Sequence, residues 1–175
     1  MKRWLIWLPF IAFAAVLWLV AAELTRPADR TVRSRLVGQA LPGFSLPAAV
    51  PGKPGLDARA FRIGEPRLLN IFASWCVPCA AEAPQLAALA RAGVPIDAIA
   101  IRDKPEDVAR FLARYGDPFR AIGADQTSAV QLALGSSGVP ETFVIDGQGR
   151  IVEQHIGDLR AEDVARLTAL VKGAR

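Results

Sequence analysis

Cys76-Val77-Pro78-Cys79 holds both cysteines of this 175-residue chain. Two thiols two residues apart can interconvert between dithiol and disulfide. They follow an apolar run, Leu68-Leu69-Asn70-Ile71-Phe72-Ala73, and precede an alanine-rich stretch from Ala80 to Ala92 of high helix propensity. A strand feeding a C-x-x-C at a helix start is a redox arrangement. The helix N-terminus presents unpaired N–H groups and the positive end of the dipole. That field favours thiolate over thiol, and the thiolate is the nucleophile. Cys76, nearer the helix start and solvent, is expected to attack. Cys79, one turn on, is expected to resolve the mixed disulfide. Pro78 falls in the first helical turn, where a missing N–H costs little. Other uses of the pair are weaker. Structural zinc takes four ligands, mostly Cys and His, and the chain offers two Cys and one His, His155. A structural disulfide across so short a loop would constrain little of the unfolded chain. No metal or cofactor is expected. No Pro-x-x-x-Thr-x-x-Cys peroxidase pattern occurs.

The elements that must position this pair alternate along the chain. Gly38 to Leu46 suggests a short strand after a turn, and Pro47 to Gly55, with its prolines and glycines, is loop. Leu68 to Ala73 reads as a central strand buried on both faces. A helix runs from about Cys76 to Arg91, stopped by Gly93. Pro95 to Ile101 is a second apolar strand. Lys104-Pro105-Glu106-Asp107 opens a helix carrying Val108, Phe111, Leu112 and Tyr115 at helical spacing, and Gly116 ends it. Phe119 to Ile122 reads as a short extended segment. Asp125 caps a helix to about Leu134. Thr142 to Asp146 and Arg150 to His155 flank Gly147-Gln148-Gly149 as a β-hairpin. Asp158 to Lys172 closes the chain as a helix with Val164, Leu167, Leu170 and Val171 inward. This order predicts a three-layer α/β domain with a mixed sheet.

At the other end, Trp4 to Ala22 carries no charge over 19 residues. Such a stretch is long enough to cross a bilayer core. Trp4, Trp7 and Trp18 lie toward its ends, where interfacial aromatics belong. Val20-Ala21-Ala22 would also serve as a cleavage site, but the apolar run is longer than a typical signal-peptide core, so an uncleaved anchor is expected. Lys2 and Arg3 favour a cytoplasmic N-terminus, whereas Arg26, Arg30, Arg33 and Arg35 pull the other way. A lone C-x-x-C behind a first hydrophobic segment decides for export of the domain, on the periplasmic side of an inner (cytoplasmic) membrane. The expected division is 1–25 as N-terminus and anchor, 26–37 as polar tether and 38–175 as the domain. The formal charge is +4, and the 17 Arg and 4 Lys are scattered without interleaved aromatics, so no nucleic-acid partner is expected.

Trp75-Cys76-Val77-Pro78-Cys79, the strand before it, and Gly138-Val139-Pro140-Glu141-Thr142-Phe143 resemble the membrane-tethered thioredoxin-like proteins of cytochrome c maturation, the CcmG/DsbE type. Ala81-Glu82-Ala83-Pro84 and Asp146 to Arg150 strengthen the resemblance, which runs from about Gly38 to the last helix. It implies a thioredoxin-like α/β/α fold. It implies a thiol:disulfide oxidoreductase that keeps apocytochrome c thiols, or a thiol carrier, reduced before haem attachment. Its electrons would come from a membrane disulfide reductase of the DsbD/CcdA type. It implies a cis Val139–Pro140 bond lying against the cysteines, with Gly138, Val139 and Thr142 at a client groove. Glu82 and Glu141 would form an acidic surround, with Trp75 beside Cys76. The local sequence suits the cis bond, since Gly138 eases the approach and a strand begins at Thr142.

Two segments depart from the family pattern. Ser136 and Ser137 stand where an aromatic is usual, and Gln131-Leu132-Ala133-Leu134-Gly135 replaces an Asp-Trp-Gly stretch. Asn70 occupies the strand position where thioredoxins carry a buried aspartate. A general base for the resolving thiol must then be Glu82, Glu141 or water. Glu82 reads equally well as a solvated first-turn glutamate favoured by the helix dipole. Pro84 is expected to kink its helix. His155 is expected as a surface or sheet residue rather than a haem ligand. Reduction potential is not written in the motif. An exported oxidase or isomerase, and a non-catalytic apocytochrome-binding module, therefore remain the alternatives.

Overall fold

The computed structural model describes residues 7–24 and 34–174. Two compact units divide between Thr31 and Val32. The first contains helix α1 (Leu8–Leu24), 17 residues long, with the large apolar side chains from Trp7 to Val20 exposed. Among the described residues no helix is long and apolar enough to cross a membrane. Residues 1–6 and 25 of the expected N-terminus and anchor, and 26–33 of the expected tether, lie outside the described residues.

The second unit is built on β3 (Arg67–Phe72) and β4 (Ile96–Ile101), in which every residue is buried. Runs this apolar, interrupted only by Arg67, Asn70 and Asp97, belong to strands covered on both sides. With β5 (Ile122–Asp125), β6 (Glu141–Ile145) and β7 (Ile151–Ile156) they form a five-stranded sheet in the order β5-β4-β3-β6-β7. β3, β4 and β5 run parallel, while β6 and β7 are antiparallel additions. The sheet is therefore mixed. β1 (Ser45–Leu46) and β2 (Leu56–Asp57) make a separate two-stranded ribbon.

Side chains alternate across a strand, so β3 serves two layers. Leu68, Asn70 and Phe72 face one side. There Phe72 lies against Phe111 of α3 (Pro105–Tyr115) at 5.5 Å and Phe119 at 5.2 Å. α2 (Val77–Arg91) and α5 (Ala161–Gly173) pack together on this same side. Arg67, Leu69 and Ile71 face the other side. There the Arg67 guanidinium lies 5.4 Å from the Phe61 ring, in a 3-10 turn at Ala58–Phe61, and pairs with buried Asp97 at 2.9 Å. The β1–β2 ribbon closes over this side at Gly123, where a Cβ would meet Leu46 at 2.8 Å and Leu56 at 3.0 Å. The layer on this side is thus made of the ribbon, the 3-10 turn and the short helix at Ala129–Ala133, whose Ala129, Val130 and Ala133 share a cleft with Ser45 and Leu46.

Other boundaries differ locally. Leu56–Asp57 was not expected as strand. Extended structure begins at Ile122 rather than Phe119, so Asp125 ends β5 before it caps. Its Oδ1 accepts from Ala129 N–H and its Oδ2 from Gln131 N–H, at the start of α4 (Ala129–Ala133). The domain also reaches beyond Gly38 toward the N-terminus. Ser34, expected in the tether, is buried; its Oγ–H donates to Leu134 O at 2.7 Å and its Oγ accepts from Leu36 N–H at 3.1 Å.

Candidate active site

β3 delivers the chain to Cys76 through a tight turn. Cys76 N–H donates to Ala73 O, and buried Asp103, just past β4, accepts from Ser74 N–H and Ser74 Oγ–H. Asp103 escaped the sequence reading. Its signal was an acid directly after a strand adjacent to β3. The turn leaves Trp75 58% exposed beside the cysteines.

Cys76 is the N-cap of α2, and its Sγ accepts from Cys79 N–H at 3.1 Å. The helix therefore directs an otherwise unpaired N–H at this sulfur. The structure holds the oxidised pair, with an S–S bond of 2.07 Å. Exposure does not separate the two sulfurs as expected, since both residues are buried, at 4% and 2%. Position on the helix does. Cys76 sits at the cap, and Cys79 lies inside the helix, lining a small pocket with Glu82, Asn70 and Phe72.

Glu82 is fully buried, one helical turn beyond Cys79. It is no solvated first-turn glutamate. Its Oε1 accepts from Asn70 Nδ2 at 2.9 Å and its Oε2 from Leu159 N–H at 3.0 Å. Burial pushes its carboxyl up to about 7, the two donors oppose that rise, and the negative charge of Asp158 adds to it. Asn70 also donates to Thr142 Oγ1 at 3.0 Å. The amide thus furnishes donors to a carboxylate that arrives from the helix, where thioredoxins place one on the strand. Thr142 is wholly buried beneath this network, so it does not line a client groove as expected.

Glu141 lies on the opposite side of the sheet. Thr142 pairs with Asn70 and Glu141 with Ile71, so alternation sends the two glutamates apart. The expectation that both face the cysteines is therefore corrected. Glu141 Oε1 accepts from Ser137 N–H and Oγ–H, at 3.0 and 3.1 Å, and Oε2 accepts from Gln154 Nε2 at 2.8 Å. Gln154 in turn accepts from Ser34 N–H. Glu141 straps the loop before β6 to the domain.

That loop contains Val139–Pro140, and the bond is cis. The register Ile71↔Glu141 sets Pro140 beside the C-terminal end of β3, from which the cysteine turn departs. Gly138 and Val139 are partly exposed, and Pro140 is buried. Gly138 O accepts from Gln131 Nε2 at 3.2 Å and Ser136 Oγ at 3.1 Å. Gln131, Ser136 and Ser137, which break the family pattern, are the residues that hold the loop.

Pro84 lies inside α2 with its ring exposed. His155 sits on β7 with its Nε2 3.3 Å from Asp158 O and its Nδ1 3.8 Å from Asp163. Among the described residues no three metal-ligating side chains cluster.

With this geometry in view, comparison with known proteins is specific. The Redoxin family profile matches residues 36–171. The chain is 37% identical to a thiol:disulfide interchange protein DsbE homolog of Paracoccus denitrificans over 89% of its own length and 86% of that protein. It is 35% identical to the thiol:disulfide interchange protein HelX of Rhodobacter capsulatus, over 94% and 92%. Among solved structures, a thioredoxin-family thiol:disulfide interchange protein from Chlorobium tepidum superposes with a TM-score of 0.63. It is 23% identical, covering 79% of this chain and 98% of that one, and it shares the fold.

Proposed function

The chain belongs to the redoxin family, among its DsbE-type thiol:disulfide oxidoreductases, and on that premise we propose that it acts as a reductant of the C-x-x-C-H disulfide of apocytochrome c, or of a thiol carrier that serves it. In the reduced protein, Cys76 attacks one sulfur of the client disulfide as thiolate. The Cys76–client bond forms, the client S–S bond breaks, and the second client sulfur leaves and takes a proton. Cys79 loses its proton and attacks Cys76 Sγ, forming the Cys76–Cys79 bond and releasing the client as a dithiol. Two electrons pass to the client. A membrane disulfide reductase of the DsbD/CcdA type would supply the two that restore the protein. Glu82, half ionised near pH 7 and sharing a pocket with Cys79, suits the role of acceptor for the Cys79 proton.

The direction rests on Glu82. An ionised carboxyl one turn from Cys79 disfavours a thiolate there. Destabilising the thiolate form makes a dithiol the stronger reductant. Equilibration with a glutathione redox buffer tests this. The wild-type pair is expected to stay largely oxidised at ratios that reduce glutathione-matched pairs, and Glu82→Gln to shift toward the dithiol. A wild-type pair as oxidising as glutathione or more so would return the oxidase or isomerase reading.

We infer further that the domain is exported on a single-pass inner-membrane anchor, facing the periplasm. α1 exposes an unbroken apolar sheath from Trp7 to Val20. The uncharged sequence from Trp4 to Ala22 would rise about 28 Å as a helix, near the thickness of a hydrocarbon core. Carbonate extraction with protease access from either side checks this. Release by carbonate would remove the anchor.

A further inference from the structure

On the flank of the disulfide away from the cis-proline loop lies an open cleft of about 740 Å³, lined by Trp75, Arg110, Phe111, Arg114 and Tyr115 among others. The two flanks are distinct. The cis-proline precedes β6, on one side of β3, whereas α3 follows β4, on the other. Nothing in the redox geometry uses the Trp75 indole, yet it stands 58% exposed next to the attacking cysteine. In the same cleft, the Arg114 guanidinium lies 5.3 Å from the centre of the Tyr115 ring. Arg110 is paired with Asp107. Among the described residues Arg114 pairs with no carboxylate, so the cleft carries one uncompensated cation above an aromatic floor.

A partner joined to Cys76 must lie against Trp75, since that residue is its chain neighbour. Side chains a few residues from the partner's cysteine then reach toward α3. A glutamate suits this cleft: its methylenes can cover indole and phenol while its carboxylate meets a guanidinium already held in place. A lysine would meet Arg114 with like charge. We propose that the cleft between Trp75 and α3 is a second recognition subsite, taking an acidic side chain of the thiol partner with its carboxylate on Arg114. This rests on the reading of the protein as a peptide-disulfide reductant.

The test uses the full-length protein in mild detergent and one disulfide-closed dicysteine peptide in three forms, with Glu, Ala or Lys three residues from a cysteine. The protein is reduced beforehand, excess reductant is removed, and the second-order rate constant for its single-turnover reaction with each peptide is measured. The expected order is Glu above Ala above Lys, with Glu about threefold to fivefold over Lys at low salt, as for an exposed charge pair. The ratio should shrink as ionic strength rises. Arg114→Ala should collapse the ratio toward one, and Arg114→Glu should invert it. Arg114 is exposed, so neither change threatens the core. A wild-type ratio of one, or a ratio that both variants leave in place, overturns the subsite. Failure of the wild type to reduce any of the three peptides would instead overturn the reductant reading.

Discussion

Glu82 and Glu141 are two buried glutamates near the same end of one sheet, and they do opposite work. Glu82 reaches the sheet from α2, on the side of Cys79, and two donors hold it. Burial leaves its proton exchangeable near neutral pH. Glu141 belongs to β6, on the far side of the sheet, and three donors hold it. Its partners are Ser137 of the cis-proline loop and Gln154 of β7. One carboxyl shares a small pocket with Cys79, and the other fastens the loop. What divides them is the alternation of a strand: Thr142, the next residue after Glu141, is the one that meets the Asn70–Glu82 pair. Residue type and proximity in sequence to the active loop do not define a site; the face of the sheet does.

The largest effect should come from the pair that Glu82 serves. Cys79→Ser should halt turnover and accumulate the Cys76–client mixed disulfide, seen as a reductant-sensitive band at the combined mass. Trapping by Cys76→Ser instead would reverse the roles, and would place the attacking thiol over Glu82. Next, Glu82→Gln should slow resolution of the mixed disulfide on the order of 100-fold. It should also remove a rise in rate centred near pH 7. A stopped-flow pH profile unchanged by this substitution would reduce Glu82 to packing.

Glu82 should also mark the stability curve. Its folded value of about 7 lies above the ordinary 4.5. The folded state therefore holds the proton more tightly than the unfolded chain does. Its contribution is fully present below about pH 4.5 and is lost as pH rises through about 7. The difference amounts to roughly 3 kcal/mol across that window. Urea unfolding of wild type minus Glu82→Gln should fall with pH between these limits. A flat difference would break the contrast from the Glu82 side. Glu141→Ala breaks it from the other side. It strands the Gln154 amide and the Ser137 donors, at a cost of about 1–3 kcal/mol. It should raise KM for the client while leaving the inflection near pH 7 where it was.

Much of this was legible in the sequence. The apolar run of 68–73 and the alanine-rich stretch after Cys79 fixed the strand–turn–helix that carries the cysteines. Gly93 and Gly116 ended their helices, with φ of 81° and 100°. What was not legible depended on contacts far apart in the chain. The burial of Glu82 needs Leu159, 77 residues away, to donate its N–H. Asp103 reaches the cysteine turn only because β4 lies beside β3. The strap at Glu141 needs Gln154 and Ser34, and the segment around Ser34 reads as tether because its polar residues reveal no partner. Local patterns specify elements, whereas the hydrogen bonds that assign a carboxyl its task form between elements.

The smallest expected effect asks whether the strap is one device or two separate contacts. Gln154 joins Glu141 to Ser34, donating to the first and accepting from the second. It is half-buried on the edge strand, so Gln154→Ala should cost only about 1 kcal/mol. If the strap is continuous, that cost should overlap with the cost of Glu141→Ala. A double-mutant cycle should then show a coupling of at least about 0.5 kcal/mol. Hydrogen exchange should quicken at both ends, at Ser34 N–H and at Ser137 N–H, because each loses a partner or the support of one. The rate near pH 7 should stay as it was, since no member of the strap lies on Glu82's side of the sheet. Additive costs with exchange altered at Ser34 alone would show the N-terminal segment docking independently of the loop. Glu141 would then fasten the cis-proline loop through Ser137 with no help from the start of the domain.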